Sequence, residues 1–192
     1  MEAAVKIPLR DLTPASVRAL QDRFPEGEMY IVPEAQPVSE ARLMSEEKFW
    51  NLISLLDWNQ SGNDDAVIEP VVRNLAAMQE AAIPAFYDLL SEKLFLLDGR
   101  SYATHSIEVG SSISSDLFLY ARCAVVANGR TLFESVLKNP ESFPQNLYFE
   151  ALLDIPQRAW LRKTGLHLDY TPCYIFETGF NPNGWGADTI TL

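Results

Sequence analysis

Histidine is almost missing from this chain of 192 residues, with His105 and His167 the only two. Triads built on histidine and multi-histidine metal centres therefore have little material. Cysteine is equally scarce, and Cys123 and Cys173 form no spaced ligand or redox motif. The expectation is a reducing, cytoplasmic setting without a disulfide framework. No run approaches the roughly eighteen apolar residues of a membrane span, and the N-terminal stretch has no signal-peptide apolar region. Positive charge is in deficit: 15 Lys and Arg against 26 Asp and Glu leave −11. A surface of that sign repels phosphate backbones, so nucleic acid is not an expected partner, and with no apolar span neither is a membrane.

What the chain has is apolar side chain, 47% of residues, enough for a packed core. The patterning predicts an α+β protein, mainly α-helical, in three parts. Residues 1–40 read as a β-α-β appendage with a linker, 41–165 as a helical domain and 166–192 as an extended aromatic C-terminal arm.

In the appendage, Val5, Ile7 and Leu9 alternate with Lys6, Pro8 and Arg10, the period of a half-buried strand. Thr13-Pro14 starts a helix carrying Val17, Leu20 and Phe24, and Met29–Val32 reads as a second strand. Two strands and one helix cannot bury their own apolar face. The unit needs the rest of the chain, another protein, or a second copy paired along the 29–32 edge as an isologous homodimer.

The helical part opens at Ser45, an N-cap followed by Glu46 and Glu47, with Met44 and Phe49 as a hydrophobic staple. Phe49, Trp50, Ile53, Leu56, Leu75, Leu90, Leu94, Phe118 and Val125 are the predicted core. Helices follow from Asp64-Asp65, with Pro70 tolerable only near the first turn, from Pro84 to the stop at Gly99, and from Ser115-Asp116 to Asn128-Gly129. Shorter helical pieces cover 131–137, 147–153 and 156–164, the last closed by Gly165.

Phe49-Trp50-Asn51-Leu52-Ile53 and the segment from Phe118-Leu119-Tyr120-Ala121-Arg122 through Val125, Val126 and Gly129-Arg130 carry a resemblance. They are similar to the F-W-x-L-I and F-x-Y-F-R-x-W-L-I-x-x-G-R segments of a bacterial family known as domain of unknown function four-two-four-zero. Ala121 stands where that family has an aromatic and Ala124 where it has tryptophan. The resemblance covers roughly residues 45–145. It implies a compact helical domain in a bacterial cytoplasm, and it transfers no catalytic residue.

The remaining chemistry-bearing residues have plain readings. Cys123 falls within an apolar helical pattern, and Cys173 has no neighbouring Lys or Arg to stabilise a thiolate. His167 and Asp169 lack the fixed spacing of a metal site. Gly110–Ser115 lacks the second glycine and the lysine of a phosphate loop. No catalytic residue, metal ligand or cofactor is assigned. Arg122 lies on the inward side of its helix and needs a carboxylate such as Asp98, Glu108 or Asp116. A candidate binding set is Arg122 and Arg130, with Tyr120 beside them and Trp185 from the aromatic arm. The expected function is a non-enzymatic interaction module of adaptor or immunity type, steered by its negative surface toward a protein with a basic surface. The alternative is an anion or small-ligand binder, or an enzyme, built on Arg122 and Arg130.

Overall fold

A computed structural model of the chain describes residues 13–23, 44–108 and 113–186. The chain divides into two compact units, Met1–Pro37 and Val38–Leu192. In the first, the described part is helix α1 (Pro14–Arg23), with proline in its first turn as the sequence predicts. The second holds α2 (Glu46–Ile53), α3 (Asp64–Ala77), α4 (Ala82–Leu96), α5 (Arg100–His105), α6 (Ser115–Ala127), α7 (Arg130–Lys138), α8 (Ile155–Thr164) and the single turn α9 (Pro182–Trp185). Short 3₁₀ turns occupy Trp58–Gln60, Pro140–Ser142 and Glu150–Asp154.

No strand occurs among the described residues, so the fold is all-α and the α+β expectation is corrected. The segments read as strands, 5–9 and 29–32, lie outside the described residues, as does the edge expected to pair with a second copy. A physical reason stands behind the correction. The described residues bury their apolar faces with helices, 3₁₀ turns and irregular segments, and offer no strand edge to which a two-stranded unit could add.

Local chemistry sets the helix starts. Ser45 Oγ accepts from Lys48 N–H at 3.2 Å, and Met44 and Phe49 are both buried as the staple requires. Asn63 Oδ1 accepts from Ala66 N–H and Ser114 Oγ from Leu117 N–H, each at 3.2 Å. Pro70 falls in the second turn of α3, not the first, because the helix begins back at Asp64. Further along the chain Gly165 closes α8 with φ 74, the left-handed region that glycine enters without strain.

Helix α6 lies deepest: Phe118, Leu119 and every residue from Ala121 to Ala127 are buried. A helix apolar nearly all round must be enclosed. Helices α4 and α7 and the 3₁₀ turn at 150–154 pack against it, while α3 lies along α8. All nine predicted core residues are buried. Each large one contributes roughly 1.5–3 kcal/mol through apolar area removed from water.

Residues 166–181 are neither helix nor strand; they run across the helical body in bends and turns. Their backbone groups bond to side chains, with no ladder to join. That choice of partners builds the polar centre of the domain.

Candidate functional site

Helix α6 carries Arg122 into the interior, where none of its surface reaches solvent. One guanidinium nitrogen, Nη1, donates to Leu94 O and Phe176 O, and Nη2 donates to Thr178 Oγ1, all at 2.9 Å. The Phe118 ring lies 4.9 Å from the guanidinium carbon. Of the three acids the sequence offered as partners, Asp98 is the one beside it, with Oδ1 3.9 Å from Nη1. At that distance the two attract as charges without sharing a hydrogen bond. Burial pushes the Arg122 pKa down, and the Asp98 charge opposes the shift.

Asp98, also fully buried, spends its oxygens on the arm. It accepts from Gly179 N–H at 3.1 and 3.0 Å, from Asn181 N–H at 2.9 Å and from the Trp185 indole at 2.8 Å. Asn181 in turn donates its amide to Phe95 O at 3.0 Å, and the Thr178 hydroxyl donates to Ser115 O at 2.7 Å. A second carboxylate, Asp88, accepts from the Tyr170 hydroxyl at 2.8 Å and from Cys173 N–H at 2.9 Å. Two acids, Asp88 within α4 and Asp98 just past its C-terminal end, thus hold the C-terminal arm down.

The four candidate binding residues therefore separate. Arg122 and Trp185 meet at Asp98, both buried and both engaged by the chain itself. Arg130 is exposed at the start of α7, where Nε donates to Glu134 Oε1 at 2.6 Å. It shares no partner with Arg122 among the described residues. Tyr120 is half-buried, and its hydrogen bond to the Glu150 carboxylate is the main cause that pushes its pKa up.

Other reactive groups are similarly committed. Cys123 is buried in α6, and burial pushes its thiol up to about 12. His105 Nδ1 lies 2.7 Å from Ser101 O, and His167 Nδ1 lies 3.0 Å from Gln157 Nε2. No three of His, Cys, Asp or Glu converge among the described residues. Arg158 bridges Asp65 at 2.6 Å and Asp154 at 3.1 Å, and Arg162 grips Glu69 with two bonds of 2.7 and 2.9 Å. A groove of about 300 Å³ lies over these pairs, lined by Glu69, Val72, Arg158, Leu161 and Arg162. Lys163 donates to Ala76 O at 3.2 Å and Met78 O at 2.7 Å, capping α3.

Sequence reasoning missed one surface feature. Trp58, in the 3₁₀ turn after α2, is 43% exposed, and its ring lies 5.1 Å from that of the buried Phe149. Leu55, Leu147 and Tyr148, close by in sequence to one or the other, are also exposed. The contact joins two acid-only stretches. Between Lys48 and Arg73 the charges are Asp57, Asp64, Asp65 and Glu69; between Lys138 and Arg158 they are Glu141, Glu150 and Asp154. The spacing of basic residues was the signal available, and the pairing of the two stretches was not.

No curated protein and no solved structure matches the chain. A family model does match, over residues 44–162, a span that includes α2 to α7, most of α8, Arg122, Asp98 and Trp58. The chain belongs to that family, described as protein of unknown function (DUF4240).

Proposed function

We propose that this chain is a non-enzymatic protein-interaction module whose acidic face receives a protein with a basic surface. The observation that supports this reading is the junction of the two acid-only stretches at the Trp58–Phe149 contact. Asp65, Asp154 and Glu69 are neutralised there by Arg158 and Arg162. Asp57, Asp64 and Glu150 have no cation within ion-pair reach among the described residues. Uncompensated carboxylates on one face raise the rate of encounter with a Lys/Arg-bearing surface and disfavour acidic partners. The alternative, an anion site on Arg122 and Arg130, has less behind it. Arg122 already donates to three acceptors within the chain, and Arg130 is held by Glu134.

Affinity capture from the native host, run with the natural chain beside the double variant Asp64→Lys, Glu150→Gln, tests the reading. The expected result is a basic partner that high salt releases and that the variant fails to hold. Equal capture by both chains overturns it.

A further inference from the structure

Within the acidic face one side chain differs in kind. Of the four tryptophans, Trp50 and Trp185 are buried and Trp160 is half-buried, whereas Trp58 leaves 43% of its surface in water. Its placement is fixed. The Phe149 ring sits 5.1 Å away, and Asp57 N–H donates to Val67 O at 3.0 Å, tying the Trp58 turn to the first turn of α3. That first turn carries Asp64. Asp57 itself is held by Asn59, whose backbone N–H and side-chain amide both donate to Oδ1, at 3.2 and 3.0 Å. Neither bond uses Oδ2. An exposed indole thus follows directly on a carboxylate whose second oxygen has no bond among the described residues, in a turn tied to the helix end that carries a second carboxylate without a cation among those residues.

We propose that Trp58 is the docking point for an arginine of the basic partner, its guanidinium stacked on the indole and bonded to the flanking carboxylates. The inference rests on the acidic-face reading and names the chemistry by which that face recognises its partner. Tryptophan has the strongest ring quadrupole for a cation. Arginine fits better than lysine because its guanidinium is planar, stacks on rings and is weakly hydrated, so it loses less on leaving water. It also keeps N–H groups free at its edge for carboxylates while its face lies on a ring. Exposed Leu55 and Tyr148 offer apolar surface to the methylene stem.

Two labelled peptides of about nine residues test this on the full chain at low salt, one alternating arginine with serine and the other lysine with serine. Binding is read by fluorescence anisotropy. The natural chain is expected to prefer the arginine peptide by about two- to fivefold, the size of an exposed cation–π contact. Trp58→Leu, which keeps apolar bulk and removes the ring, should erase that preference, while Trp58→Phe should keep part of it. Thermal melts of both variants establish that they are folded. The Asp64→Lys, Glu150→Gln variant should weaken both peptides together. A preference that survives in Trp58→Leu, or that is absent from the natural chain, overturns the arginine dock and leaves the acidic face standing. Binding of both peptides unchanged by the charge variant overturns the acidic face, and the arginine dock with it.

Discussion

Asp98 and Trp185, 87 residues apart, meet in a 2.8 Å hydrogen bond from the indole Nε1–H to a carboxylate oxygen that solvent does not reach. The same carboxylate accepts two backbone N–H groups of the arm and stands 3.9 Å from the buried Arg122. One acid therefore serves as counter-ion, as backbone acceptor and as tryptophan anchor.

Asp98→Ala should cost about 3–5 kcal/mol, because it leaves Arg122 as a buried charge without its counter-ion. Urea unfolding reads the loss. Hydrogen exchange should rise at Gly179 and Asn181, whose N–H groups lose their acceptor. An Asp98→Ala chain within about 1 kcal/mol of the natural one contradicts this placement of the ion pair.

Gly184 faces the backbone of Asp98 and Gly99 so closely that a Cβ there would be driven into the Asp98 carbonyl and lie 2.8 Å from Gly99 Cα. Gly184→Ala should displace α9 and cost about 1–3 kcal/mol by overpacking. Trp185 then becomes accessible to acrylamide quenching. Unchanged quenching in the variant means that the two glycines do not approach as described.

Of the two thiols, Cys123 is buried and pushed up to about 12, while Cys173 is exposed. A thiol-disulfide reagent at about pH 8 should modify one cysteine in the native protein and both in denaturant. Two rapid modifications in the native state would place Cys123 outside the core.

Arg162, through its paired hydrogen bonds, holds the Glu69 carboxyl below its ordinary 4.5. A carboxyl lowered in the folded state stabilises the fold above its unfolded pKa, and that contribution disappears as pH falls through the folded value. Glu69→Gln should therefore be less stable than the natural chain at pH 7, by under about 1 kcal/mol because the pair is half-exposed. The gap should narrow below about pH 4.5 and keep closing as the pH falls through the lowered folded value. A gap of constant size across that range assigns the effect to packing, not charge.

The helical spine was legible because its signals are local. The 3.6 periodicity of Phe49, Ile53 and Leu56, the caps at Ser45 and the stop at Gly165 each depend on residues within one or two turns. Helix α5 was not anticipated: Gly99, read as a stop, is also the residue that precedes its first turn. The period-2 pattern of Val5, Ile7 and Leu9 suggested a sheet, yet alternation reports only a two-sided segment, and a sheet needs neighbours that the described residues do not supply. Arg122 announced its need for an acid, and Asp98 was among those offered. That Asp98 would also collect Gly179, Asn181 and Trp185 was invisible, since no spacing rule links a buried carboxylate to backbone donors more than 80 residues away.

The family match stops at residue 162, but the polar centre inside it is completed by residues 176–185 beyond it. The homologous segment and the set of residues that pairs its buried charged groups consequently have different borders in this chain. Excision at the family boundary would strip Asp98 of its acceptor duties and Arg122 of Phe176 and Thr178, opening two ionised groups that no solvent now reaches. Only a piece that extends through Trp185 keeps the partners that Arg122 and Asp98 have among the described residues.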